Sequence, residues 1–179
     1  SEVGSTNQNA CETVRDDFRE IQETAQQTAD AMRDIVWLVD TGEATTRDLF
    51  IRMRESIELI VGHLDTSVHS IPPSPKSRPI GLQARRHFFL AFKEALNNVQ
   101  KHAHATTVRV VFELTPSHVT FEVGDDGVGF EPESPMSSGH GLKNFRRRAN
   151  RVNGQLKIDS ILNKGTTIRF SAPLNQRNL

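Results

Sequence analysis

Two runs of alternating apolar and polar residues, "TTVRVVFEL" (Thr106–Leu114) and "HVTFEVGD" (His118–Asp125), are separated only by "TPS". Alternation with period two turns one face of each run toward a core, and so short a connection joins them as an antiparallel hairpin. The hairpin must then bury its apolar face against another layer. Its second strand empties into "DDGVGF" (Asp125–Phe130), two acids and two glycines with no basic residue. Alone, an Asp-Gly pair fits an ordinary hairpin turn better than a ligand loop, because glycine accepts positive φ without a Cβ clash.

The surrounding segments say what the hairpin packs against. Between Glu12 and Val39, the residues Val14, Phe18, Ile21, Ala25, Thr28, Met32, Ile35 and Val39 alternate spacings of four and three. That is the heptad seam of one long helix. "DTGEA" breaks it, and Thr45 with Asp48 offers an N-cap for a second helix carrying Phe50, Met53, Ile57, Ile60 and Leu64. "TSVHSI" reads as a short strand, and "PPSPKSRP" as a loop, since proline continues neither helix nor ladder. A helix is predicted from Leu82 to His102, with Phe89, Phe92, Leu96, Val99 and Ala103 on one face. After the hairpin come a polar loop ending at Gly139, a helix over "LKNFRRRANRVN", and a closing hairpin of "GQLKIDS" and "GTTIRFSAPL". The pattern predicts an α+β fold: a two-layer sandwich with helices on one face of a mixed, mostly antiparallel sheet. The heptad helix precedes that layer.

Composition narrows the partners. Basic and acidic residues balance at 22 each, and aromatics are mostly Phe with no Tyr. Neither fact favours nucleic acid or an anionic membrane. The single cysteine, Cys11, excludes an internal disulfide and fits a reducing, cytoplasmic compartment. No apolar run reaches membrane-spanning length, and the first ten residues lack the apolar core of a signal peptide.

Opposite the apolar face of the Leu82–His102 helix, Glu94, Asn98, Lys101 and His102 fall on neighbouring turns. Such a stripe is commonly a solvated surface. It is also suited to chemistry: an amide oxygen for a hard cation such as Mg²⁺, two potential phosphate donors, and an acid to orient a water. "GHGLKNF" puts two glycines before a helix, either a flexible entry or bare N–H groups facing an anion. Neither GxxxxGK[ST] nor GxGxxG occurs, so a nucleotide site here must be of another kind.

Together, "EALNNVQKHA", "DDGVGF", "GHGL" and "NKGTTIRFSAPL" resemble the N box, two glycine boxes and closing strand of the GHKL superfamily (gyrase, Hsp90, histidine kinases and MutL). The chain is most similar there to sensor histidine kinases, from about Thr45 to Leu174. The short segment between Phe130 and Gly139, the "KHAHA" ending and "MRDIVWLVD" resemble kinases paired with helix-turn-helix response regulators. "DTG" stands where such kinases often carry a proline.

The resemblance implies a Bergerat-type fold. It implies that Asp125 accepts a hydrogen bond from the adenine amino group and that Gly127 and Gly129 admit base and ribose. Asn98 would ligate Mg²⁺, and Lys101 and His102 would face the phosphates. Gly139, His140, Gly141 and Leu142 would close over them, Thr166 or Thr167 would add a hydroxyl, and Glu94 is the N-box acid, assigned to catalysis. ATP and Mg²⁺ are thus the expected cofactors, with a response-regulator receiver domain and a second copy of the full-length protein as partners. The expected organisation is a partial dimerisation and phosphotransfer helix with hinge (1–44), an ATP-binding domain (45–175) and a tail (176–179).

A phosphoacceptor histidine followed by an acid is the other family requirement. None of His63, His69, His87, His102, His104, His118 and His140 precedes one. The heptad helix is therefore expected to be the second helix of a dimerisation hairpin whose acceptor helix lies upstream, so that the fragment binds ATP without phosphorylating itself. The competing readings are a serine kinase of the anti-sigma-factor type and a dimerising scaffold independent of nucleotide.

Overall fold

The computed structural model describes residues 29, 32, 34–39, 42–131 and 140–174. The chain divides into two compact units, Ser1–Thr41 and Gly42–Leu179. In the first, Ala29, Met32 and residues 34–39 are helical, and Met32, Ile35 and Val39 on the expected seam are exposed. The other seam positions lie outside the described residues.

The second unit runs α1 (Thr46–Val61), β1 (Asp65–Ile71), α2 (Leu82–Asn98), a π turn (Val99–Ala103), β2 (Thr107–Leu114), β3 (His118–Asp125), α3 (His140–Arg151), β4 (Gln155–Ile161) and β5 (Gly165–Pro173). Strand order is β1-β2-β3-β5-β4. β1 pairs parallel with β2, and every other pair is antiparallel. A parallel pair needs a crossover, which α2 supplies. The order of elements and the mixed sheet match the sequence pattern.

α1 begins where the capping box predicts. Thr45 N–H donates to Asp48 Oδ2 at 2.9 Å, and Asp48 N–H donates back to Thr45 Oγ1. The proline loop is sewn to this start, with Thr46 N–H bonded to the Arg78 carbonyl at 2.8 Å.

The inner sheet face is aromatic. Phe88 and Phe92 of α2 meet Phe121 edge-on at 5.1 and 5.3 Å, Phe121 stacks on Phe170 at 5.6 Å, and Phe50 of α1 stacks on Phe112 at 5.1 Å. Full burial stabilises the fold by roughly 1.5–3 kcal/mol per such side chain, which makes this layer the main stabilising element. The outer face is polar: Arg109 and Arg169 both bond Glu122, and Arg169 also bonds Glu113.

One expectation needs correction. The helix predicted through His102 stops being α-helical at Asn98 and finishes as the π turn, ending at His104 in the left-handed region with φ 51°.

Candidate functional site

On β3 the inward row Val119, Phe121, Val123 continues into Asp125, so a carboxylate stands where the apolar core ends. Its Oδ1 accepts from Gly127 N–H at 2.9 Å and Thr166 N–H at 3.3 Å. Oδ2 has no partner among the described residues. Burial pushes the Asp125 pKa up, the two N–H groups oppose that, and the Asp126 charge adds to the rise. Asp125 is therefore an acceptor fixed through one oxygen and open at the other.

Asp126 does different work. It accepts from the Thr106 hydroxyl at 2.6 Å and from Thr106 and Thr107 N–H at 2.8 and 2.9 Å. These bonds, led by the Thr106 hydroxyl, hold its pKa far below the usual carboxylate range. It staples the loop after β3 to the start of β2.

The glycines are required by the protein's own backbone. A Cβ on Gly127 would run into the Ala103 carbonyl, the same carbonyl that accepts Val128 N–H at 2.8 Å. Gly165, with φ +86°, lies so close to the Asp125 carbonyl that no side chain fits between β5 and the end of β3. Gly129 sits against the Ile161 carbonyl. Ser160 closes the ring: it accepts Phe130 N–H at 2.8 Å and bonds the Thr166 hydroxyl at 2.8 Å.

Asp125, Gly127, Gly129 and Thr166 are thus joined into one constellation. Thr167 is set apart from it: paired with Gly124, it lies on the outer sheet face, while Thr166 shares the inward row of Ile168 and Phe170. Glu94 and Asn98 are half-buried on α2, one turn apart. Lys101 and His102 are exposed on the π turn, so the four residues do not form the straight stripe that α-helical spacing predicts. Glu94 faces Arg148 of α3, where burial lowers the guanidinium pKa and the Glu94 charge opposes the drop.

α3 begins at His140, two residues earlier than its apolar pattern suggests, and its first turn contains Gly141 and half-buried Leu142. The backbone N–H groups of that turn have no intrahelical acceptor and suit an anion. Gly139 lies outside the described residues. Sequence reasoning missed Asp126, Ser160 and the Ala103 carbonyl. For Asp126 the doubled acid was the available signal. The arrangement offers an oriented acceptor for an amine, with amide and cationic groups on the neighbouring helix.

The family model of histidine kinase-, DNA gyrase B- and HSP90-like ATPases matches residues 83–176. The chain is 33% identical over 88 residues to the sensor histidine kinase LiaS of Bacillus subtilis, covering 49% of this chain and 24% of that protein. It is 39% identical over 83 residues to the oxygen sensor histidine kinase NreB of Staphylococcus carnosus, covering 46% and 24%. The chain thus spans about a quarter of the length of these relatives. The histidine kinase domain of the Erythrobacter litoralis blue-light activated histidine kinase shares the fold, with TM-score 0.55 and 17% identity over 70% of this chain and 59% of that one. The matched region holds α2, the Asp125 loop, α3 and the closing hairpin, and the chain belongs to the family of histidine kinase-, DNA gyrase B- and HSP90-like ATPases.

Proposed function

We propose that this chain is the ATP-binding catalytic part of a two-component sensor histidine kinase. It would position the γ-phosphate of ATP for transfer to a histidine on a dimerisation helix, for relay to a response-regulator receiver domain. The observation that carries the reading is Asp125, held through Oδ1 by two backbone N–H groups with Oδ2 left open. An ionised carboxylate only accepts, so it selects the exocyclic amine of adenine. The names of the relatives, both sensor histidine kinases, support the same assignment.

In this reading Asn98 holds Mg²⁺ beside Glu94, Lys101 and His102 turn donor groups toward the phosphates, and the first turn of α3 (His140, Gly141, Leu142) presents N–H groups to them. Gly139 belongs to the same glycine motif. Mg²⁺ would supply neutralisation of phosphate charge, the main electrostatic requirement of phosphoryl transfer. The Thr166 hydroxyl acts on Asp125's side of the sheet, and Thr167 supports Gly124 from the other. Residues 1–44 form part of the dimerisation region and hinge, 45–175 the ATP-binding domain and 176–179 a tail. The full-length protein acts as a homodimer with this part in the cytoplasm. No described helix is long and apolar enough to cross a membrane.

Calorimetric titration with ATP, with and without Mg²⁺, tests the reading. Saturable, Mg²⁺-dependent binding is expected, weakened at least about tenfold by Asp125→Asn. Absence of binding by the unaltered chain would overturn it in favour of a nucleotide-independent scaffold.

A further inference from the structure

β1 and β4 stand at the two ends of the strand order, so each has one edge with no strand beside it among the described residues. An open edge presents a row of unpaired N–H and C=O groups, and folds commonly blunt it with lysine, proline or a bulge. β4 is blunted in this way: Lys157 and Asp159 form an ion pair at 2.6 Å on its outer face. β1, "DTSVHSI", is not. It holds no lysine, arginine or proline, and it pairs residue for residue with β2 over its 7 positions. Its one carboxylate, Asp65, stands at its first position.

The margin beside β1 is also shaped. A groove of about 330 Å³ runs between the flank of α1 and this strand, lined by Ile51, Arg54, Glu55, Ile57, Glu58 and Val68. Val68 is the middle residue of β1, and its register with buried Val110 puts it on the inner face of the sheet. Ile51 is exposed, so the groove offers apolar surface to solvent. Glu55 and Glu58 are exposed as well, and neither has an ion-pair partner among the described residues. Two free carboxylates thus stand against the single guanidinium of Arg54, and Asp65 adds a third at the start of the edge.

These features specify an occupant. A strand added beside β1 would lie about 4.8 Å from it, with alternate side chains on the inner face. The side chain opposite Val68 enters the groove. Those two positions away lie about 7 Å to either side, along the α1 flank that carries Glu55 and Glu58. In strand addition the main chain supplies affinity, and pockets for alternate side chains supply specificity. The carboxylates select a cation at the flanking positions.

We propose that the β1 edge is a docking site for an extended basic and apolar peptide segment of a partner protein. The segment adds a strand to the sheet and seats one aliphatic side chain in the groove between α1 and Val68. Lysine or arginine two residues away meets Glu55 and Glu58. This surface is separate from the Asp125 constellation and needs no nucleotide.

The test adds the peptide acetyl-Thr-Lys-Thr-Val-Thr-Lys-Thr-amide, one residue for each residue of β1, to the full chain and follows the backbone amides by NMR. Saturable shifts are expected along β1 and at Ile51, with slowed exchange at the β1 amides that face the open edge. The double variant Glu55→Lys/Glu58→Lys, at two exposed helix positions, is expected to weaken binding about tenfold and to leave ATP binding unchanged. A peptide with glutamate in place of both lysines should also bind about tenfold more weakly. A β1 edge unmoved by the lysine peptide would overturn the proposal, and so would an equal response to the glutamate peptide. β1 shifts that grow with protein concentration alone would overturn it in favour of a second copy of this chain. ATP binding is measured on the same samples, so failure at the β1 edge is distinguishable from failure at Asp125.

Discussion

Val119 to Val123 and Asp125 to Phe130 are neighbouring stretches of one chain, held by opposite means. The first is fixed by its side chains, with Phe121 locked among Phe88, Phe92 and Phe170. The second is fixed almost entirely by backbone groups: Gly127 and Thr166 N–H on Asp125, Val128 N–H on Ala103, Phe130 N–H on Ser160. Aromatic packing is strong and tolerant of direction, whereas a hydrogen-bonded loop sets each group individually. The difference explains how one strand can both anchor the core and hold a half-buried carboxylate with one oxygen open. Holding that oxygen is a matter of geometry more than of stability.

The largest effect belongs to the aromatic half. Phe121→Ala is expected to cost about 3–5 kcal/mol, read as a lowered urea midpoint, because the cavity lies among rings that cannot all collapse into it. ATP binding should then fail only as far as the fold fails. In the polar half, Ser160→Ala leaves Phe130 N–H without its acceptor and should cost about 1–3 kcal/mol. Amide exchange at Phe130 and Thr166 would rise with it. A Ser160 variant as damaging as Phe121→Ala would break the contrast.

The smallest change in stability belongs to Asp125, and its sign is unusual. Its folded pKa is raised, so its contribution to stability is greatest below the unfolded value of 3.8 and is lost as pH rises through the folded value. Asp125→Asn is therefore expected to leave the fold as stable as before near neutral pH, or slightly more so. Ligand binding runs the other way. It needs the ionised acceptor, so ATP affinity should hold above the raised pKa and decline as pH falls through it, at higher pH than an ordinary aspartate would allow. An affinity that is flat from neutral pH down to pH 4 would contradict this.

Much of the architecture was legible because its signals are local. The period of two in Val108–Leu114 and Val119–Val123, the Thr45–Asp48 box and the four prolines after Ile71 each act within a few residues. The same alternation could also have separated Thr166 from Thr167, since neighbours on a strand face opposite ways. The site's supports were hidden for a different reason. Asp126 with Thr106, Ser160 with Phe130 and Gly165 beside Asp125 join positions distant in sequence. The π turn was hidden too, because nothing in "VQKHA" marks it locally. It forms where Ala103 meets the Gly127–Val128 backbone. The nearest neighbours of an added Cβ at Gly127, Gly129 and Gly165 are carbonyls of the chain itself, on Ala103, Ile161 and Asp125, contacts that only the folded chain reveals.

The central claim is that the open oxygen of Asp125 selects an exocyclic amine. The direct measurement compares ATP with inosine triphosphate, which lacks that amine, on the unaltered chain and on Asp125→Asn. The account predicts a preference for ATP of about tenfold or more that disappears in the variant. Equal affinity of the unaltered chain for both nucleotides would contradict it.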